Sequence, residues 1–318
     1  MNWTMNLIRL QPIYQQRVWG GREFESLFGR KLPPDGLPYG ESWEVVDRPE
    51  AQSIVVGGEF DGMSLHELWT EHRAEIFGSD APDSERFPIL LKILDARDDL
   101  SIQVHPPAAI AAEMKGEPKT EMWYVADATA EASLAVGVQP GVDADSFSAA
   151  LQAGSVAQMV HRLPVTKGDF IFIPSGRLHA IGGGLVIFEI QQNSDTTYRV
   201  FDWNRVGLDG TPRELHVAES LKCIDFTDTS PSVSHEKDGE LVACEYFKTE
   251  RRHLNAGKVA SIGLPGKFSI LAIVSGQAST HDFKLNAGDH ILVPASSAGR
   301  CRQLASASDL TYLEVYFQ

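Results

Sequence analysis

The sequence predicts a mainly β protein: two jelly-roll β-barrels with a few short helices. Three observations lead there. Short apolar runs at Phe87–Leu94, Phe170–Ile173, Leu185–Ile190, Leu271–Val274 and Ile291–Val293 are bounded by Gly, Pro or Asp, the punctuation of strands. The stretch LPVTKGDFIFIP (Leu163–Pro174) returns as FKLNAGDHILVP (Phe283–Pro294), with Gly168 in register with Gly288 and Pro174 with Pro294. A Gly-Asp turn leading into a strand that ends in Pro recurs in double-sheet jelly rolls, and two copies predict two barrels. Helical signals, finally, are few and short.

The helices follow from capping chemistry. Ser64-Leu-His-Glu67 has capping-box spacing, and Leu65, Leu68, Trp69, His72 and Ile76 share the face that follows. Thr211-Pro-Arg-Glu214 repeats the spacing with Pro at the first helical position, predicting a helix to about Ile224. A third helix is expected over about Ala144–Ala153. The polar, turn-rich segment Asp228–Gly239 reads as a linker, dividing a barrel over 1–227 from a second over 240–318.

Composition excludes several classes of function. The 318 residues carry 28 Lys and Arg against 43 Asp and Glu, a net charge of −15, with no basic run for nucleic acid to bind. An anionic substrate must therefore be met by a few local cations. No run approaches the roughly 20 apolar residues of a membrane span, and the N-terminus lacks a signal-peptide pattern. The three cysteines, Cys223, Cys244 and Cys301, form no CxxC pair, as expected of reduced thiols in a cytoplasmic protein.

One cluster carries chemistry. In Ser101-Ile-Gln103-Val-His105, strand alternation puts Ser101, Gln103 and His105 on one face and Ile102 and Val104 on the other. Three polar groups on one face of an apolar strand suit the inside of a barrel that holds a ligand or a metal. Glu121 opens the next strand candidate, two residues after Lys119. Pro174-x-Gly176-x-x-His179, with five residues between Gly168 and Pro174, fits the second cupin motif, whereas the first is altered, with Gln103 where a His would stand and Glu121 displaced along the chain.

These departures resemble one family. SIQVHP, KTEMWY, PSGRLHAIGGG and QQNSDTTYRVFDWNR, with RVWGGREFESLFG (Arg17–Gly29), GESWEV (Gly40–Val45) and FPILLKILDARDDLS (Phe87–Ser101), are similar to type I phosphomannose isomerase in its short bacterial form. The resemblance covers roughly residues 10–225 and only loosely the C-terminal part. It implies cupin-type barrels, one Zn2+ held by Gln103, His105, Glu121 and His179, and interconversion of mannose 6-phosphate and fructose 6-phosphate through a cis-enediol. It further implies that Arg199 stabilises the enediolate. Near that zinc and Arg199 the pKa of Lys119 is expected to fall, which makes it either a base or sugar-hydroxyl ligand or, equally, a solvated loop lysine. Asp195 orients Arg199 or binds a sugar hydroxyl, Ser101 contacts phosphate, and Glu44 and Trp19 line the pocket. Gly299 stands where the second barrel would need its counterpart of His179, so one metal is expected. The expected partner is a small sugar phosphate, with neither nucleic acid nor membrane, for a monomer or weak homodimer. Isomerisation of another sugar phosphate, and a non-catalytic sugar-binding homologue, are the alternatives.

Overall fold

A computed structural model describes residues 5–318 apart from residue 236. The protein is mainly β with six short α-helices among the described residues. Its predicted strands all form: Ile89–Ala96, Ile102–Val104, Glu121–Ala128, Phe170–Ile173, Leu185–Gln192, Ser269–Ser275 and His290–Val293.

The two halves repeat one strand order. In the first, Phe170–Ile173, Glu121–Ala128, Leu185–Gln192 and Ile89–Ala96 lie side by side, and this sheet continues into Ile13–Gly21 and Tyr39–Val45. In the second, His290–Val293, Ser269–Ser275, Leu310–Phe317 and Phe247–Leu254 lie in the same order. The smaller sheets agree as well. Val160–Pro164, Ser133–Val138, His179–Ile181 and Ile102–Val104 correspond to Lys284–Asn286, Gln277–Ser279, Gln303–Ser306 and Val259–Ser261. The repeated Gly-Asp turns are alike in detail. Gly168 and Gly288 both sit at positive φ, 94° and 88°, where a side chain would be strained. Asp169 and Asp289 each accept from the backbone N–H three residues earlier, at 2.8 and 2.9 Å.

Each half is a pair of facing sheets. Leu94, Trp123, Val125, Ile171 and Ile187 of the first large sheet share a core with Leu134, Val136 and Ile181 of the small one. Leu271, Ile273 and Ile291 pack likewise on Ala278, Leu285 and Leu304. The two large sheets then stand back to back. Leu91, Ile93, Met122, Tyr124 and Phe188 meet Ile270, Ala272, Leu292, Leu313 and Val315, with Trp69, Phe77 and Phe87 in the same cluster. Among the described residues no sheet closes on itself, so the pairings give facing open sheets rather than closed barrels.

Two of the predicted helices form with capping boxes: Leu65–Glu71 behind Ser64, and Ala144–Gln152 behind Asp143. The third begins later than expected, at Val217 rather than after Thr211, and ends at Cys223. Thr211 donates to Asp209 instead of capping a helix, Val206 bridges Pro212, and Arg213 is drawn to Asp202, so the turn is held open by side-chain bonds. The linker segment is stitched to the first half by Thr229 and Ser234 bridges and by the Arg177–Asp228 ion pair. At the other end of the chain, Ile8–Arg9 hydrogen-bonds to His290–Val293 of the second half. No helix among the described residues is long and apolar enough to cross a membrane.

Candidate metal centre and active-site cavity

The first pair of sheets opens into a cavity of about 510 Å³. On the small sheet, Gln103 lies directly between His179 and Arg199, its register partners on either side. Facing it, Glu121 heads a strand of the large sheet, with Gln191 beside it. His105 follows the end of the Gln103 strand. The structure thus brings Gln103, His105, Glu121 and His179 together. One ligand atom from each of His105, Glu121 and His179 lies within 4.8 Å of the others, and all three residues are buried. Gln103 Nε2 is 3.3 Å from His179 Nε2.

Hydrogen bonds orient these donors. His105 Nδ1 faces the Thr196 carbonyl at 2.8 Å and His179 Nδ1 the Arg177 carbonyl at 2.9 Å. A ring nitrogen beside a carbonyl oxygen must carry the proton, so both Nε2 atoms present lone pairs to the centre. Trp123 Nε1 donates to Glu121 Oε2 at 2.8 Å, leaving Oε1 buried without a hydrogen-bond partner. That oxygen stands 3.0 Å from His105 Nε2 and is ion-paired with Lys119 Nζ, which itself lies 3.5 Å from His105 Nε2, so the lysine ammonium is the cation beside these two acceptors. Gln103 Oε1 accepts from Ser101 Oγ at 3.1 Å. The amide oxygen and nitrogen are interchangeable by a flip, so the same side chain can turn its oxygen to the centre. Two imidazoles, one carboxylate and one amide form a donor set that suits a divalent, redox-inert ion. Burial, and then the neighbouring cations and rings, lower both imidazoles, His179 to about 3. Burial opposes ionisation of Glu121, but Lys119 and His105 outweigh it and hold the carboxylate well below its usual range.

The remaining wall is charged. Lys119 is buried and ion-paired with Glu121. Its pKa is raised, against the expectation of a fall, because the Glu121 and Glu189 carboxylates outweigh burial. Arg199 lines the cavity with its buried Nε unpartnered. Burial first, then the Arg213 guanidinium, lower its pKa. Ser101, Asp195 and Trp19 line the same cavity. Asp195 is 3.8 Å from Lys92 Nζ.

Glu44 does not reach this cavity. Along Tyr39–Val45 the side chains alternate, so Glu41 and Trp43 face the cavity side while Ser42 and Glu44 face the second half. There Glu44 accepts from Arg30 at 2.8 and 3.0 Å and lies 3.4 Å from His290 Nδ1.

Several cavity residues went unpredicted. Lys92, Glu189 and Trp123 line the cavity and, with Trp43 beside them, form one row across four strands. Lys92 Nζ stands 3.9, 3.7 and 3.8 Å from Glu41, Glu189 and Asp195, above the Trp43 ring. Glu189 is pushed up to about 7 by burial and by the Glu121 charge. A detectable signal existed for Lys92 and Glu189: each is a charge set directly between apolar residues of a strand, and a charge is rarely buried there without a partner or a task.

Comparison with known proteins gives the chain a family. Residues 7–148 match the model of the phosphomannose isomerase type I catalytic domain. Over 304 residues the chain is 34% identical to mannose-6-phosphate isomerase ManA of Bacillus subtilis, covering 92% of this chain and 94% of that protein. Mannose-6-phosphate isomerase of Streptococcus mutans is 34% identical over 296 residues, covering 90% and 91%. The crystal structure of mannose 6-phosphate isomerase from Bacillus subtilis matches with a TM-score of 0.85 at 29% identity, covering 98% of this chain and all of that one. With identity of this order over nearly its whole length, the chain belongs to the type I phosphomannose isomerase family.

Proposed function

We propose that this chain is a zinc-dependent aldose–ketose isomerase that interconverts mannose 6-phosphate and fructose 6-phosphate through a cis-enediol. The observation that carries the reading is the convergence of His105, Glu121 and His179, the last of which lines the same cavity as Gln103 and Arg199, whose buried Nε has no hydrogen-bond partner. Gln103, His105, Glu121 and His179 would hold the ion, which when bound supplies Lewis-acid polarisation of sugar oxygens.

The chain's own residues account for the other requirements. Moving a proton between adjacent carbons develops charge on two oxygens, and fixed cations aimed at them lower the barrier. Arg199, permanently charged and without a competing carboxylate bond, stabilises the enediolate. Lys119, an ammonium at neutral pH, donates to a sugar oxygen. Asp195 and Ser101 hold sugar or phosphate oxygens at the cavity wall, and Trp19 shapes it. Each pair of facing sheets corresponds to a cupin jelly roll, and the chain divides near residues 228–239. The second half keeps the strand order without the metal donors and buttresses the first, in a cytoplasmic protein.

A coupled assay converting mannose 6-phosphate to fructose 6-phosphate, run with and without a chelator and paired with elemental analysis, tests the reading. Turnover that is lost on chelation and restored by zinc is expected. Turnover indifferent to chelation, or absent in metal-replete protein, refutes it.

A further inference from the structure

We infer that Arg17 is an arm of the site for a phosphate monoester dianion, presented to the cavity by a deliberate break in its strand. The inference rests on the reading of the cavity as a sugar-phosphate site.

The strand Ile13–Gly21 follows Tyr39–Val45 as far as Gln16 opposite Tyr39, and then Gly21 is opposite Tyr39 again. Residues 17–20 therefore bulge out of the pairing with Tyr39–Val45, held by the Arg17 N–H on the Pro38 carbonyl at 3.3 Å and by Gly20 opposite Ala96 of the next strand. Such an excursion re-aims side chains, and here Arg17, Val18 and Trp19 line the cavity. The crossing is made by two glycines. A Cβ on Gly20 would lie 2.3 Å from the Gly40 nitrogen, and one on Gly40 would lie 2.7 Å from the Arg17 Cβ and 2.6 Å from the Trp19 ring. No other residue type fits at either position without moving the backbone.

The guanidinium is then fixed but not used up. Arg17 Nε donates to Glu41 Oε1 at 2.9 Å, Nη2 to Glu41 Oε2 at 3.1 Å and Nη1 to the Gln16 carbonyl at 3.1 Å. Glu41 is itself tied to Trp43 Nε1 at 2.6 Å, so the platform is rigid. A guanidinium carries five N–H donors. These bonds leave one on each terminal nitrogen, the end-on fork that matches two oxygens of a phosphate.

Arg17 also stands in the right company. Arg199 and Arg213 line the same cavity, and Arg213 is clamped by Asp202 at 2.7 Å. The Arg17 and Arg213 side chains are 29% and 22% exposed, whereas Glu121 at the metal donors is fully buried. The guanidiniums thus lie toward solvent and the metal donors inside. A sugar phosphate has the same polarity, its dianion remote from the carbons that exchange the proton. Arg17 and Arg213 are each paired with a carboxylate and Asp195 lines the same cavity, so a dianion would be met by the two free Arg17 N–H groups and by Arg199, which has no ion pair among the described residues.

Calorimetric titration with inorganic phosphate tests this on the intact protein. Arg17→Gln should weaken phosphate binding about tenfold or more, the size of one lost charge-assisted fork. Arg17→Lys should not restore it, because an ammonium cannot hold Glu41 and phosphate bidentately at once. The double variant Arg17→Gln with Glu41→Gln separates the roles. If Arg17 only neutralises Glu41, the second change restores phosphate binding and overturns the inference; continued weak binding supports it. In steady state, KM for mannose 6-phosphate should rise in step with phosphate Kd while kcat moves less. Phosphate binding in Arg17→Gln equal to wild type, or none in wild type, overturns the inference. Phosphate binding through Arg17 in a wild-type protein without turnover would leave it standing and sink only the isomerase reading.

Discussion

Glu44→Gln is the substitution that best separates a structural carboxylate from a functional one. The Arg30 side chain is 9% exposed and that of Glu44 is 3% exposed, and the pair is bidentate. The Arg30 and His290 charges outweigh burial and hold Glu44 at about 2. Removing its charge leaves a buried guanidinium uncompensated, which costs about 3–5 kcal/mol. If all 318 residues unfold in one transition, that corresponds to about 4–8 °C in Tm. Arg30 also reaches the Gly288 carbonyl, so the loss falls on the contact between the two halves. Turnover at 25 °C should stay within about threefold of wild type, under about 0.7 kcal/mol, because Glu44 and Arg30 lie outside the catalytic cavity. Urea titration followed by fluorescence, with steady-state kinetics on the same preparation, checks both halves of the expectation. An unchanged unfolding midpoint together with a markedly raised KM would put Glu44 in the substrate site and refute the reasoning.

Three further outcomes are expected. His179→Ala should purify with little bound metal and no turnover, whereas Arg199→Gln should keep the metal and lose turnover, both read by elemental analysis beside the coupled assay; wild-type activity in either sinks its assigned role. Asp95, pushed up to about 6 by burial with the Glu23 charge adding to it, binds its proton more tightly folded than unfolded, where 3.8 applies. Stability therefore falls as pH rises from about 4 to 6. Asp95→Asn, which can still accept from the Glu23 N–H, should gain up to about 3 kcal/mol at pH 8 and nothing at pH 4, measured by thermal melts at both; an equal gain at both would contradict the ionisation account. Gly20→Ala drives a methyl into the Gly40 backbone, so it should lower Tm and raise KM for mannose 6-phosphate together, and a silent substitution would show that the excursion is soft.

Much of this was legible in the sequence, and the failures have physical causes. The strands were readable because apolar runs end at Gly, Pro and Asp, and the Gly168 and Gly288 turns because both need the same backbone. Gln103 and His105 were readable from parity on one short strand. Parity also explains the error at Glu44: in GESWEV the cavity takes Glu41, and a shift of one residue swaps the faces. The helix predicted from Thr211 failed because Asp209 and Asp202 compete for Thr211 and Arg213, bonds that local spacing does not reveal. Arg17 was hidden for a different reason, since its direction depends on two glycines from separate strands meeting.

The short N-terminal strand has a consequence for biosynthesis. Ile8 and Arg9 pair with Leu292 and Ile291, about 280 residues further along the chain. At elongation speeds of about 5–20 residues per second those partners are synthesised about 15–60 s later. Leu7 and Ile8, buried in the finished protein at 4% and 5% exposure, must wait that long without their cover. Closing this seam is thus a late step in the folding of the chain, and the metal-binding half has its own strands in hand before it.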